Sequence, residues 1–140
     1  MIWGCQWDVT MNWLISSGAK TSDEVNKDSS SWGNYSNTSV KADDGTTEIK
    51  ASETPAKLNT GKTTFTMANN IYDLAGNCRE WTQEAYSTNN RAVRGGRYNY
   101  VGSFYPASYP SDVVPDYSGS DDLRFSSYFN NKIGPVNYFV

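Results

Sequence analysis

The feature that most constrains the fold is a change in hydrophobic period partway along the chain. Near the start, apolar residues recur at the spacing of one helix face: Trp7, Met11, Leu14 and Ile15. Gly18 follows them as a natural helix stop. After Asn69, apolar and polar residues alternate in NIYDLAGNCREWTQEAY, as in a half-buried strand. Helices followed by strands predict an α+β domain with an antiparallel sheet.

Shorter signals complete this outline. Thr21 with Glu24 three residues later forms a capping box, which predicts a second helix at TSDEV that ends within KDSSS. Between Ser29 and Lys62 the sequence is loop-rich, and Asp44-Gly45 favours the turn of one surface hairpin between VKA and TEIKA. RAVRGG and LRFSSYF are further strand candidates. The tryptophans of the periodic segments are predicted to lie in the core: Trp7, Trp13 and Trp81.

Length and composition point to one domain and exclude several partners. A chain of 140 residues suits a single core, so residues 1–140 are predicted to form one domain. The net charge of −3, with Lys and Arg scattered, argues against nucleic acid as a partner. No apolar run approaches the roughly 20 residues that cross a bilayer, so membrane insertion is not expected. The opening residues MIWGCQWD do not resemble an export signal.

Histidine and cysteine usage limits the chemistry. The chain has no histidine, which removes the commonest general base and the commonest transition-metal ligand. Cys5 and Cys78 do not form the pattern of a disulfide framework, so both are predicted to remain thiols, with Cys78 buried and inert. No cofactor is predicted.

Five residue types are missing from the stretch between Arg97 and Asn131. Lys, Glu, Gln, Met and Trp fill 21 of the first 96 positions and none of these 35. Tyrosine with Ser, Gly and Asn neighbours is typical of binding surfaces, because it offers a large amphipathic contact at a low entropy cost. Ordinary surface loops have a similar composition. A binding face and a plain loop therefore both stay open on composition alone.

Three motifs carry a resemblance to a known family. NIYDLAGNCREW, RAVRGGRY and DLRF, in this order, resemble the series N-x-Y-D-(M/L)-x-G-N-V-x-E-W, R-V-x-R-G-G-S-(W/F) and G-F-R of the formylglycine-generating-enzyme-like family. The resemblance covers Asn69 to Phe125, although Asp122 replaces the Gly of the third motif. It implies a loop-rich C-type-lectin-like fold, with helices flanking a twisted antiparallel sheet.

The same resemblance argues against an enzyme. Family members that oxidise sulfatase cysteines use a late pair of cysteines, and this chain has none between Asp112 and Val140. The related sulfoxide synthases hold iron with histidines, which are absent here. The resemblance therefore implies a non-enzymatic member.

A closer resemblance is to the variable proteins of diversity-generating retroelements in phages and bacteria. Their ending R-G-G-x-Y-x-x-x-G-S-x-x-P-A-S is matched without a gap from Arg94 to Ser108. These elements copy a template with errors at adenines, so an Asn codon becomes a codon ending in C or T, and no such codon encodes the five missing types. The resemblance thus implies a hypervariable region at about 97–124. Full-length members carry more chain ahead of the first helix, so this sequence is expected to be the C-terminal portion of such a protein or a reduced form.

The resemblance also implies a ligand-binding face. Its expected residues are Arg97, Asn99, Tyr100, Val101, Phe104, Tyr105, Tyr109, Val113, Val114, Asp116 and Tyr117. Tyr98, Pro106, Ala107 and Ser108 are expected to hold the backbone beneath them, and Arg94 and Arg124 to act as scaffold. The implied partner is a macromolecular surface, a protein or a glycan on a target cell. The expected location is a phage virion or a bacterial cell surface.

Several alternatives remain. A fixed lectin-like adhesin or a phage tail structural protein would share the fold without diversification. A calcium-dependent sugar lectin would need an acidic cluster around an EPN- or QPD-like tripeptide, which the chain lacks. Glu80 occupies a position that helps to bind a structural calcium in the family's enzymes, but one carboxylate is a poor basis for a cage of six or more oxygens. Glu80 is therefore predicted to be a hydrogen-bonded carboxylate beside Arg79 or Arg94, and Asp43-Asp44 and Asp121-Asp122 are predicted turns.

Overall fold

The structure is a computed structural model that describes residues 1–114 and 123–125. Its elements follow the order α1 (Gly4–Ser16), α2 (Ser22–Asn26), β1 (Val40–Lys41), β2 (Glu48–Lys50), a 3-10 helix (Thr64–Thr66), β3 (Met67–Ala68), β4 (Ile71–Tyr72), β5 (Arg79–Ala85), β6 (Arg91–Arg94), β7 (Ser111–Val113) and β8 (Leu123–Phe125). Helices come first and the main sheet comes last, so the predicted α+β class is confirmed. No helix in these described ranges has the length and apolar character needed to cross a bilayer.

The end of α1 and the start of α2 lie where the local signals predict, whereas α2 ends at Asn26, just before KDSSS. At the end of α1, Ser17 is the C-cap, and Gly18 follows it with a φ of 73°, in the left-handed region that favours glycine. At the start of α2, the Thr21 N–H donates to Glu24 Oε2 at 2.8 Å, and the Glu24 N–H donates to Thr21 Oγ1 at 3.2 Å. The predicted capping box is therefore confirmed.

The main sheet has the strand order β7-β6-β5-β8. Strands β5 and β6 are antiparallel, as are β6 and β7, but β8 lies parallel to β5 and aligns Leu123 with Arg79. The prediction of a wholly antiparallel sheet is wrong at this edge. The long stretch between Ala85 and Leu123 includes β6 and β7, and a connection of that length does not force the reversal that a tight hairpin does.

Two small hairpins lie outside the main sheet. The predicted one pairs β1 with β2, and Gly45 in its turn has a φ of 71°. A second hairpin, which was not predicted, pairs β3 with β4. Its turn is Asn69-Asn70, with φ values of 47° and 62°. Asparagine tolerates this left-handed region better than most residues, so the Asn-Asn pair was the available signal.

The core has two parts. The larger cluster surrounds the inner face of α1, where Trp7, Met11 and Leu14 are all buried. The smaller one lies on the main sheet and joins Trp81, Val93 and Val113, with Leu123 packed against it. The predicted burial of Trp7 and Trp81 is confirmed.

Trp13 is not in the core. Its side chain is 44% exposed, so the prediction of burial is wrong. Trp13 lies six positions after Trp7 in the helix. This spacing corresponds to a rotation of about 600°, so the Trp13 side chain points about 120° away from the buried face.

The two cysteines do not form a disulfide with each other, as predicted. Cys5 is exposed and Cys78 is buried.

Candidate ligand-binding face

The candidate binding loop, residues 97–109 and called the binding loop below, is built from successive tight turns. The N–H of Tyr100 donates to the Arg97 carbonyl oxygen at 3.1 Å, and the N–H of Phe104 donates to the Val101 carbonyl oxygen at 3.1 Å. A third bond, at 2.9 Å, runs from the Tyr109 N–H to the Pro106 carbonyl oxygen. These local bonds satisfy backbone groups that no strand or helix pairs, so the loop has a defined shape without regular secondary structure.

Glycine is required where the loop begins. Gly95 and Gly96, at the end of β6, have φ values of 91° and 69°. A Cβ atom on Gly96 would lie 2.5 Å from the Tyr105 carbonyl oxygen and 2.7 Å from the ring of Tyr35. The Arg-Gly-Gly motif therefore lets the chain turn sharply and pass close beneath its own loop.

Side chains from the first half of the chain hold the binding loop from below. Trp7 Nε1 donates to the Ala107 carbonyl oxygen at 2.9 Å, and the hydroxyl of Tyr35 donates to the Tyr105 carbonyl oxygen at 2.9 Å. Ser29 Oγ accepts from the Ala107 N–H at 2.9 Å. Each of these bonds ends on a backbone atom of the loop, so none depends on which side chain the loop carries.

Backbone contacts add to this support. The Ser36 N–H donates to the Tyr100 carbonyl oxygen at 2.9 Å, and the Tyr98 N–H donates to the Asn77 carbonyl oxygen at 3.0 Å. Further along, the Ser108 N–H lies 3.3 Å from the Val25 carbonyl oxygen. The loop is thus fixed at both ends and in the middle by partners outside it.

Lys50 stabilises the supporting segment itself. It is buried, and its Nζ donates to the carbonyl oxygens of Tyr35 at 2.7 Å and Thr38 at 2.6 Å. Burial lowers the pKa of Lys50, because it removes water from the charged form, whereas Glu53 and Glu48 act in the opposite direction. Burial also raises the pKa of the Tyr35 phenol above its ordinary value, because the buried site disfavours the charged phenolate.

Arg94 joins three parts of the molecule. Its Nη2 lies 2.7 Å from Glu84 Oε2 on β5, its Nη1 donates to the Ser108 carbonyl oxygen at 2.7 Å, and Asp8 of α1 lies 3.4 Å away. The predicted scaffold role of Arg94 is confirmed, because its guanidinium is buried and holds the end of the binding loop to the sheet and to the helix.

Glu80 is buried and lies opposite Arg94 in the β5–β6 ladder, one of the two neighbours that were predicted for it.

The outer surface of the loop carries an aromatic row, defined as Arg97, Tyr100, Tyr105 and Tyr109. The guanidinium carbon of Arg97 lies 3.8 Å from the ring centre of Tyr100. The Tyr100 and Tyr105 ring centres are 4.6 Å apart with an interplanar angle of 52°, and those of Tyr105 and Tyr109 are 5.6 Å apart at 83°. These tilted and edge-on contacts order the tyrosines against one another.

The predicted face residues differ in exposure. Those that are exposed are Asn99, Phe104, Tyr109 and Val114. Those that are half-buried are Arg97, Tyr100, Val101 and Tyr105. Asp116 and Tyr117 lie outside the described residues. Of the predicted supporting residues, Pro106 and Ala107 are buried, whereas Tyr98 and Ser108 are half-buried. The role of the face residues in ligand binding stays a prediction.

Val113 does not face solvent as expected. Its side chain is 8% exposed and packs against Trp81 and Val93. The reason is strand alternation: Val113 pairs with Arg91 in the β6–β7 ladder with its side chain on the core side, so the neighbouring Asp112 and Val114 are the exposed residues of this strand end.

An open cavity of about 380 Å³ lies beside the aromatic row. We call it the arginine pocket; its lining residues are Arg79, Asn90, Arg97, Asp112, Val113 and Val114. Asn90 Nδ2 donates to Asp112 Oδ2 at 2.5 Å on one wall. Arg79, Asn90 and Asp112 were not among the predicted site residues, because they come from two strands and a connecting loop that only the tertiary structure brings together. Among the described residues, no three cysteine, aspartate or glutamate side chains come together in a way that could hold a metal ion.

Comparison with known proteins gives a weak structural similarity. No protein-family model matches the chain, and no curated protein is similar enough to count as a match. The solved structure of Treponema denticola variable protein 1 is similar at 18% sequence identity and a TM-score of 0.39, over 75% of this chain and 37% of that one. The chain therefore spans little more than a third of that protein's length.

Proposed function

We propose that this chain is a non-enzymatic ligand-binding protein whose C-terminal face, at about 97–124, is diversified by retroelement mutagenesis. The observation that supports this most strongly is the way in which the binding loop is held. Trp7, Ser29 and Tyr35 bond to its backbone atoms, and all three lie outside the proposed variable region. Outward-facing side chains can then change while the loop keeps its shape.

The energetics favour this arrangement. A buried hydrogen bond contributes roughly 0.5–1.5 kcal/mol net, so several bonds to the loop backbone together outweigh what an exposed side chain contributes to stability. Phe104 illustrates the difference, since its ring is 71% exposed and contributes little apolar burial.

The chemistry of the face suits binding. Aromatic and arginine side chains dominate the energetics of protein recognition sites, and the aromatic row presents both types in one ordered strip. The partner is a macromolecular surface, a protein or a glycan, and the protein acts on a phage virion or a bacterial cell surface. The non-enzymatic assignment rests on the sequence, which lacks histidine and lacks cysteine after Cys78.

The nucleotide sequence around the gene tests the diversification. We expect a neighbouring reverse transcriptase gene and a near-copy of the segment that encodes about 97–124, which differs from it only where the copy has adenine. A locus with neither feature would contradict the proposal, and a fixed lectin-like adhesin or a phage tail structural protein would replace it. Differences spread equally over all four template bases would also contradict it.

A further inference from the structure

We propose that the last segment of this sequence, residues 126–140, docks on the outer side of α1 and covers an apolar stripe there. This segment lies outside the described residues. The inference goes beyond the proposed function and does not rest on it, because it concerns the side of α1 opposite to Trp7, which bonds to the binding loop.

The outer side of α1 carries an apolar stripe. Cys5, Val9 and Trp13 recur at every fourth position, so they lie next to one another along the helix, and we call them the outer stripe. All three are exposed, and Val9 most of all, at 67%. Val9 is turned about 160° away from the buried Trp7, so the stripe follows the middle of the outward face.

The same face carries no charge. Asp8 is the only charged residue of α1, and its carboxylate lies 3.4 Å from Arg94, at the side of the helix. Beside the outer stripe lie the uncharged residues Gln6, Asn12 and Ser16. A helix face in water usually carries charged side chains, whereas covered interfaces are depleted of charge and enriched in aromatic residues. The outer stripe therefore has the composition of a covered surface.

Strand β8 ends beside the start of this helix. In the parallel ladder of β5 and β8, Phe125 is aligned with Trp81. The next residue of β5, Thr82, forms a parallel bridge with Ile2, whose carbonyl oxygen accepts from the Gln83 N–H at 3.0 Å. Since β6 pairs with the opposite edge of β5, Ile2 follows β8 along the same edge. The described chain thus reaches Phe125 two residues away from the start of α1.

The segment that follows Phe125 matches the outer stripe in chemistry and in length. Lys132 is its only charged residue, and seven of its 15 residues are apolar or aromatic: Tyr128, Phe129, Ile133, Val136, Tyr138, Phe139 and Val140. Burying such side chains against apolar surface is favourable. Fifteen extended residues reach at most about 50 Å, whereas the 13 residues of α1 span about 20 Å, so the segment is long enough to follow the helix.

A segment of the same chain is favoured over a second copy as the occupant. Because the segment is attached beside the helix, it is present at a high effective concentration and loses no translational freedom on docking. A second copy would bear that cost in full. The attachment therefore favours coverage from within the chain.

The test uses the thiol of Cys5, which lies in the outer stripe, whereas Cys78 is buried. The rate of its reaction with dithiobis(nitrobenzoate) is measured on the full chain in buffer and in concentrated urea. If the segment covers the stripe, the thiol should react about tenfold or more slowly in buffer than in the unfolded chain. Equal rates in buffer and in urea would overturn the proposal.

Variants of the segment assign the protection. Phe129→Ser combined with Phe139→Ser should raise the rate in buffer several-fold, because it removes two of the aromatic side chains. The matched control changes Asn130 and Asn137 of the same segment to Ser and should leave the rate unchanged. On the helix, Val9→Asn should raise the rate without adding a charge, whereas Trp13→Phe keeps an aromatic ring and should change it little. Equal rates for the phenylalanine pair and the asparagine pair would overturn the proposal.

A photocrosslink identifies the occupant directly. A benzoylphenylalanine in place of Val9, in the full chain, should crosslink to a peptide from 126–140 of the same molecule. The same group in place of Lys27, which is exposed on α2, should not. Crosslinks between two chains would identify a second copy as the occupant, and the absence of any crosslink to 126–140 would also overturn the proposal. The proposed function is judged from the gene locus, so either idea can fail alone.

Discussion

The indole nitrogen of Trp7 lies 2.9 Å from the carbonyl oxygen of Ala107, which ties the first helix to a loop 100 residues later in the chain. Both groups are buried, so neither can turn to water if the bond is lost. A residue of the N-terminal half thus supports the binding loop directly, as the Arg-Gly-Gly motif at the start of the loop does.

We therefore expect Trp7→Phe to destabilise the protein. It keeps an aromatic ring but leaves the Ala107 carbonyl without its donor, which costs about 1–3 kcal/mol, in addition to the loss of packing. Urea denaturation followed by tyrosine fluorescence and circular dichroism measures this change. Trp13→Phe is the matched control, because Trp13 is on the same helix but exposed, and its change should be within about 0.5 kcal/mol. Equal effects of the two substitutions would contradict this account of the loop.

A second prediction concerns Arg94. Arg94→Lys keeps the positive charge but cannot reach Glu84, Asp8 and the Ser108 carbonyl oxygen with one planar group. We expect a loss of about 2 kcal/mol in the free energy of unfolding, below the roughly 3–5 kcal/mol of a fully buried pair, because Glu84 is partly exposed. Arg91→Lys, at a half-buried position of the same strand, should have little effect. A loss of similar size in both variants would contradict the role of Arg94 as the link between the sheet, the first helix and the binding loop.

The loop entrance gives a third prediction. Gly96 and Gly45 have similar φ values, 69° and 71°, but a Cβ atom would strike the Tyr105 carbonyl oxygen only at Gly96, whereas nothing lies within 4 Å at Gly45. Backbone strain alone costs about 1–2 kcal/mol, so Gly45→Ala should lose no more than that. Gly96→Ala should lose clearly more, because it adds the collision. Thermal unfolding of the pair compares them, and equal losses would contradict the close approach.

The first hairpin gives a pH prediction. Asp44 accepts hydrogen bonds from the Thr47 hydroxyl and from the N–H groups of Thr47 and Thr46, which lowers the pKa of Asp44 from 3.8 to about 2. Because the folded pKa lies below the ordinary one, this stabilisation is complete above about pH 4 and is lost as the pH falls through 2. The Asp44 carboxyl signal in an NMR titration should have its midpoint near 2. A midpoint at 3.8 would contradict these bonds, and Asp44→Asn should abolish the titration.

Local signals predicted the parts of the fold that depend on neighbouring residues. The capping box at Thr21, the stop at Gly18 and the turn at Gly45 each act within a few positions, so the sequence alone identifies them. The burial of Val113 and the parallel pairing of β8 depend on which strands meet in space, and no local pattern carries that information.

The candidate site likewise has a part that could be predicted from the sequence and a part that could not. The residues of the binding loop follow one another in the sequence, so a motif and a composition could suggest them. The arginine pocket could not be predicted, because Arg79 and Asp112 become neighbours only when β5, β6 and β7 form one sheet. The exposure of Trp13 was predictable from helix geometry, since its angle from Trp7 follows from the sequence spacing.

The most direct test of the central claim is a comparison of two randomised libraries, sorted for folded protein by resistance to protease. One library randomises the outward positions Asn99, Tyr100, Val101, Phe104, Tyr105 and Tyr109 with codons ending in C or T. The other applies the same codons to the supporting positions Gly95, Gly96, Gly102, Pro106 and Ala107; Gly102 is buried, and its carbonyl oxygen accepts from the Ser29 N–H at 3.4 Å. If partners outside the loop hold its backbone, most members of the first library remain folded and few of the second do. Equal folded fractions in the two libraries would contradict the claim that this face is a fixed frame with interchangeable side chains.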